Sequence, residues 1–164
     1  MAGERVLAGS GSDAGVGRGG PVNVTVLLCD AAQEANGKLY ILGGGWSVTG
    51  PGPFQSALAM KFEVPWDQAN RPHELDIHLV DDDGAPVRTA GPDGPQEVRI
   101  QGQFEVGRPP GLTPGVPLET PMVVTIPPLE LVPGRRYTWV IEIDGETEDH
   151  WRASFSLRPE LELT

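Results

Sequence analysis

The chain contains one cysteine, Cys29, in 164 residues. An internal disulfide and a thiolate metal cluster are both excluded. Cys29 lies in an apolar run, where a free cysteine acts as a small buried hydrophobe rather than a nucleophile. Bases are also scarce, 12 against 23 acids, for a formal net charge of −11. No basic cluster is longer than Arg135-Arg136, so phosphate backbones and anionic membrane surfaces find no counter-charge, and neither nucleic acid nor membrane is expected as a partner. No apolar run approaches the ~20 residues of a membrane-spanning helix. The N-terminal stretch has no signal-peptide core, so the expected location is cytoplasmic. Missing too is any segment with apolar residues at three-to-four spacing over ten positions, the pattern of an amphipathic helix.

Turn-formers and alternation are what the chain has in quantity. The 22 glycines and 17 prolines fall between short apolar runs, as expected of many strands joined by many turns. Residues 1–20, half glycine from Gly9 to Gly20, read as a disordered tail. Residues 21–160 read as one domain. Within it, "VNVTVLLCD" puts Val22, Val24, Val26 and Leu28 on one face. "SALAMKFEV" aligns Leu58, Met60, Phe62 and Val64, and "HELDIHLV" aligns Leu75, Ile77 and Leu79. "KLYIL", "WSVT", "EVRIQGQFEV", "PMVVTI", "RRYTWVIEI" and "HWRASFSL" complete a set of eight or nine strands. "PWDQANRP" is the one place for a helical turn. Strong turn signals, among them "EANG", "DDDG", "AGPDGP" and "VPG", separate the runs.

Two resemblances follow from particular residues. Leu131, Pro133, Gly134 and Tyr137, in "LELVPGRRYTWVIEIDG", resemble the Leu-x-Pro-Gly-x-x-Tyr corner of fibronectin type III and other immunoglobulin-like domains. In those the tyrosine hydroxyl bonds back to the corner backbone. The implied fold is an all-β, immunoglobulin-like sandwich of two antiparallel sheets. "VLLCDAAQEANGKLYILGGGWSVTGPGP", with "VPWDQANRPHELDIHLVDDDG" and "GQFEVGRPPGL", is similar to an actinobacterial-type family of uncharacterised small β proteins. That second resemblance would cover residues 22–158 and implies no activity, cofactor or catalytic residue.

The triplet Gly43, Gly44 and Gly45 is the most motif-like feature. A phosphate loop needs a helix after its glycines, and "WSVTGPGP" cannot form one. The glycines therefore read as a bend, either between two strands or within one strand passing between sheets. Trp66, with Asp67, Gln68, Asn70 and Arg71 around it, suits stacking on a sugar or anchoring a protein, with Trp46 as a second aromatic. Against that, Trp66 also reads as a lid over the end of the sandwich. His78 and Asp76 share a strand face with Glu74 and are metal-ligating types, as is His73 on the opposite face. Alternating polar residues are equally the wet face of an antiparallel strand. Asp81, Asp82, Asp83 and Gly84 lack the alternating acids of a calcium loop and read as a hairpin.

No serine lies in a nucleophile elbow and no roles converge on a reaction. The function expected is a non-enzymatic binding or structural module, without cofactor, acting on a protein partner or by self-association. A metal-binding protein or metal-assisted hydrolase, and a carbohydrate-binding module, are the other readings.

Overall fold

A computed structural model describes residues 21–163; the tail expected over residues 1–20 lies outside them. The described residues are almost all strand and turn. In chain order they form β1 (Asn23–Ala35), β2 (Lys38–Gly44), β3 (Val48–Thr49), β4 (Ser56–Val64), a 3-10 turn (Trp66–Gln68), β5 (Pro72–Val80), β6 (Arg88–Gly91), β7 (Gly94–Glu97), β8 (Arg99–Glu105), β9 (Leu118–Ile126), β10 (Arg136–Ile143) and β11 (Arg152–Leu157). One sheet runs β2-β1-β4-β9, a second β3-β11-β10-β5-β8, and β6-β7 is a separate hairpin.

The period-two residues of both large sheets meet in one core. Leu58, Met60, Phe62 and Val64 of β4 are fully buried, as are Ile77 of β5 and Ile141 of β10. They share a cluster with Tyr137, Trp139, Trp151, Phe155 and Leu157. Each such side chain contributes about 1.5–3 kcal/mol by leaving water, which is what holds the two sheets face to face. A polar tie supplements it: Trp151 Nε1–H donates to Asn23 Oδ1 at 2.8 Å, and His150 Nε2 lies 2.7 Å from the same oxygen. The start of β1 is thereby fixed to the start of β11.

The architecture departs from two purely antiparallel sheets. β3 pairs in parallel with β11, Ser56's sheet being left behind as Ser156 aligns with Val48 and Leu157 with Thr49. The glycine triplet lies at the crossover: β2 ends in the first sheet at Gly44, and the chain then enters the second sheet as β3. Gly43 and Gly45 take positive φ, 60° and 83°, a region that costs other residues strain. A Cβ on Gly43 would overlap the Asp30 carboxylate. β6 and β7 were hidden among turn residues, and the run expected as one strand from Glu97 to Val106 breaks at Val98.

At the other corner, Tyr137 is buried, and its hydroxyl accepts the Val132 N–H at 2.9 Å. Gly134, with φ of 81°, donates its N–H to Leu157 O at 3.0 Å. Pro133 pre-sets the turn between them. Two substitutions probe these corners. Gly43→Ala, which must move Asp30 and hold a strained φ, is expected to cost about 1–3 kcal/mol. Tyr137→Phe, losing one hydrogen bond, is expected to cost about 1 kcal/mol. Urea unfolding of each variant measures both.

Candidate functional site

The first hairpin carries the largest exposed apolar run in a regular element. Asn36 and Gly37, at φ of 52° and 72°, form the two-residue turn whose twist matches that of the flanking strands. Ala35 pairs with Lys38, Gln33 with Tyr40 and Ala31 with Leu42. β1 outruns its other partner: its pairing with β4 ends at Cys29 and Ala57. The distal half, from Asp30 to Gly43, is therefore a two-stranded ribbon beyond the sheet.

The bend at Gly43 turns that ribbon back over the outer face of its own sheet. Ala32, Leu39 and Val123 pack on a second cluster of Cys29, Ala57 and Ala59, all buried. Alanine at both β4 positions lets the ribbon lie close. Gly44 serves the same approach, since a Cβ there would come within 2.8 Å of Ile41 Cγ2 and 3.0 Å of Leu27 Cδ2. Burial, reinforced by the nearby Asp30 charge, pushes the Cys29 thiol up. Cys29 is thus packing, not a nucleophile.

What the ribbon leaves outside is apolar. Tyr40 is 56% exposed, Ile41 42% and Leu42 70%, with Leu27 beside them at 38%. Ala31, Ala32, Gln33 and these three β2 residues line a shallow depression. β2 is also the end strand of its sheet, so one row of its amides and carbonyls meets no strand among the described residues. An exposed apolar edge is a template for another strand.

The aromatic candidates are elsewhere and apart. Trp46 packs edge-on against Phe54 and Phe155, at centroid distances of 5.5 and 6.0 Å. Phe54 precedes β4 and Trp66 follows it, so the length of that strand separates the two indoles. Trp66 packs against the core, and the Arg108 guanidinium lies 5.0 Å from its ring centroid. Arg108 Nε–H also donates to Trp66 O at 3.1 Å. Around it, Arg71 donates to Gln68 Oε1 at 3.1 Å, and Asn70, at φ of 56°, donates its backbone N–H to Val106 O. Asp67 sits in the first turn of the 3-10 segment. The cluster has the form of a loop clasp, with its aromatic face already covered.

His78 and Asp76 do share a face of β5, and His78 Nδ1 lies 3.1 Å from Asp76 Oδ1. The other carboxylate oxygen accepts Arg99 Nε–H at 2.7 Å and Gln101 Nε2–H at 2.8 Å. Among the described residues no group of three or more His, Cys, Asp or Glu side chains is placed to hold a metal. His73 is buried on the opposite side, with Nδ1 2.8 Å from Asp144 Oδ2 and Nε2 2.9 Å from Gln68 O. It joins the β10–β11 turn to the 3-10 segment. Asp81 Oδ1 accepts the N–H groups of Asp83 and Ala85, closing the acidic turn on itself.

Two of these carboxylates set an acid limit on stability. For Asp76, desolvation raises the pKa, but hydrogen bonds from Arg99, Gln101 and His78 outweigh it and hold the carboxyl below its ordinary 3.8. For Asp144, desolvation is likewise outweighed, by His73 and the Glu74 N–H. A depressed folded-state pKa stabilises fully above the unfolded value and is lost as pH falls through the folded one. Unfolding temperature should therefore drop as pH falls below 3.8. Asp76→Asn should flatten that drop in a thermal-melt series.

No curated protein and no solved structure matches the chain significantly. No helix among the described residues is long and apolar enough to cross a membrane. Residues 24–156, from the second residue of β1 almost to the end of β11, match one family profile. The chain belongs to the family of unknown function DUF6941.

Proposed function

We propose that this chain is a non-enzymatic binding module that engages a protein partner through the β1–β2 ribbon. One observation carries the reading: Tyr40, Ile41 and Leu42 are exposed in a row on an end strand. A strand added to that edge gains main-chain hydrogen bonds, while alternate side chains fill pockets on either face. Tyrosine is among the residue types enriched at interface hot spots, and the aliphatic side chains beside it add apolar area to be taken out of water.

The scaffold is an immunoglobulin-like sandwich in this reading. Its supports are the core shared by two sheets, the hydroxyl of Tyr137 bonded to Val132, and a short early strand running parallel to the last one. A cytoplasmic setting goes with the free thiol of Cys29. The metal-assisted and sugar-binding readings have less to draw on, because three side chains occupy the Asp76 carboxylate and Arg108 covers Trp66.

Site-specific photocrosslinking in living cells tests the proposal. A photoreactive side chain at Leu42 is expected to give a discrete protein adduct, and Ile41→Lys should abolish it. The same probe at Val132, also exposed, at 55%, but on the other sheet's corner, should give none. Equal, diffuse labelling from both positions would remove the ribbon as the binding surface.

A further inference from the structure

His73 is fully buried, yet both of its ring nitrogens meet acceptors. Nδ1 lies 2.8 Å from Asp144 Oδ2, and Nε2 lies 2.9 Å from Gln68 O. A neutral imidazole has one N–H and one lone pair, so it satisfies only one of the two. The carbonyl has no proton to give, and a carboxyl donates only when protonated. The Asp144 side chain is 43% exposed, and its Oδ1 accepts the Glu74 N–H at 2.9 Å. Despite desolvation, its carboxyl stays below the ordinary 3.8, so near neutral pH it is a carboxylate. Both protons must then come from the ring. We infer that His73 is held as an imidazolium, a buried cation that latches the 3-10 turn to the β10–β11 turn and releases it on losing a proton.

The surroundings suit a buried ion pair. A buried charge is tolerated where it is paired and hydrogen-bonded, and here both N–H groups are used. The carboxylate is fixed in place by its turn: Asp144 and Gly145, at φ of 53° and 80°, close Ile143 on Glu146. Aspartate and glycine are the residues such a turn favours. Phe104 of β8 stacks on the imidazole, with 5.3 Å between centroids and 27° between planes. An aromatic face attracts a cation. Phe62 of β4 lies behind Phe104, at 4.5 Å. The charged groups about the ring are Asp144 and Arg71, whose guanidinium also acts on Asp144 while donating to Gln68 Oε1. Glu74 meets the pair through its backbone N–H.

Loss of one proton acts on a particular bond. The neutral ring keeps its N–H toward the stronger acceptor, the carboxylate. Its Nε2 lone pair then faces the oxygen of Gln68 at 2.9 Å, and the two repel. The 3-10 turn, whose Trp66 lies under Arg108, thereby loses this tie to β5. The folded chain thus binds a proton that the unfolded chain gives up on the alkaline side, so stability falls as pH rises. Asp144 sets the opposite limit, since its contribution is lost as pH falls below 3.8. The latch holds between the two.

Nitrogen-15 NMR of the histidine rings in the full chain at neutral pH counts the protons directly. The chain has 3 histidines, and His78→Asn and His150→Asn identify the signals that are not those of His73. The expected His73 ring carries a proton on both Nδ1 and Nε2. Asp144→Asn is the paired variant, because asparagine satisfies a neutral ring. Its Oδ1 still accepts the Glu74 N–H, its Nδ2–H donates to a bare Nδ1, and Nε2–H keeps Gln68 O. That ring should carry a single proton, on Nε2. The wild-type unfolding temperature should fall by about 4 °C between about pH 6 and about pH 9, and the fall should be smaller in Asp144→Asn. A wild-type ring with one bare nitrogen at neutral pH overturns the inference. So does an Asp144→Asn melt series as steep as that of the wild type.

Discussion

The left-handed backbone of Gly43, seated against the Asp30 carboxylate, is the constraint on which the rest of the first sheet depends. From that one residue the distal ribbon folds back over β4. The chain leaves for the second sheet a few residues later, and β3 arrives parallel to β11. A side chain at Gly43 would displace Asp30 and release the bend. The buried patch of Cys29, Ala57 and Ala59 would then lose its cover, since Ala32 and Leu39 reach it only through the turned-back ribbon.

That geometry also explains why the apolar residues of β2 divide as they do. Leu39 serves the small cluster beneath the ribbon. Tyr40, Ile41 and Leu42 remain outside because the ribbon is two strands wide and no third layer lies above it among the described residues. Among the described residues an apolar edge is thus left open, a condition natural sheets usually avoid by charge, proline or a bulge. Lys38 and the Gly43 bend limit that apolar edge to a few residues.

Much of the core was legible from alternation alone. Leu75, Ile77 and Leu79 point inward, as do Trp139 and Trp151, because period-two patterning survives wherever one sheet face is dry. The bend at the glycines followed from the missing helix after them. The residues "VRTAGPDGPQE" concealed β6 and β7, because proline and glycine signal turns more strongly than a four-residue strand signals itself. The ribbon's exposure was illegible for a different reason. "KLYIL" has the composition of a buried strand, and only sheet order reveals that no strand among the described residues pairs on its far side. The cover on Trp66 was illegible too, since Arg108, whose guanidinium lies 5.0 Å from the ring centroid, is 42 residues away in sequence.

The claim that β2 is an open edge is tested most directly by amide hydrogen exchange on the chain alone. Ala35 and Lys38 close a two-residue hairpin, so Tyr40 and Leu42 bond to β1 and the Leu39 and Ile41 amides face the free edge. The account predicts slow exchange at Tyr40 and Leu42 and fast exchange at Leu39 and Ile41. Equal protection at all four would contradict an open edge.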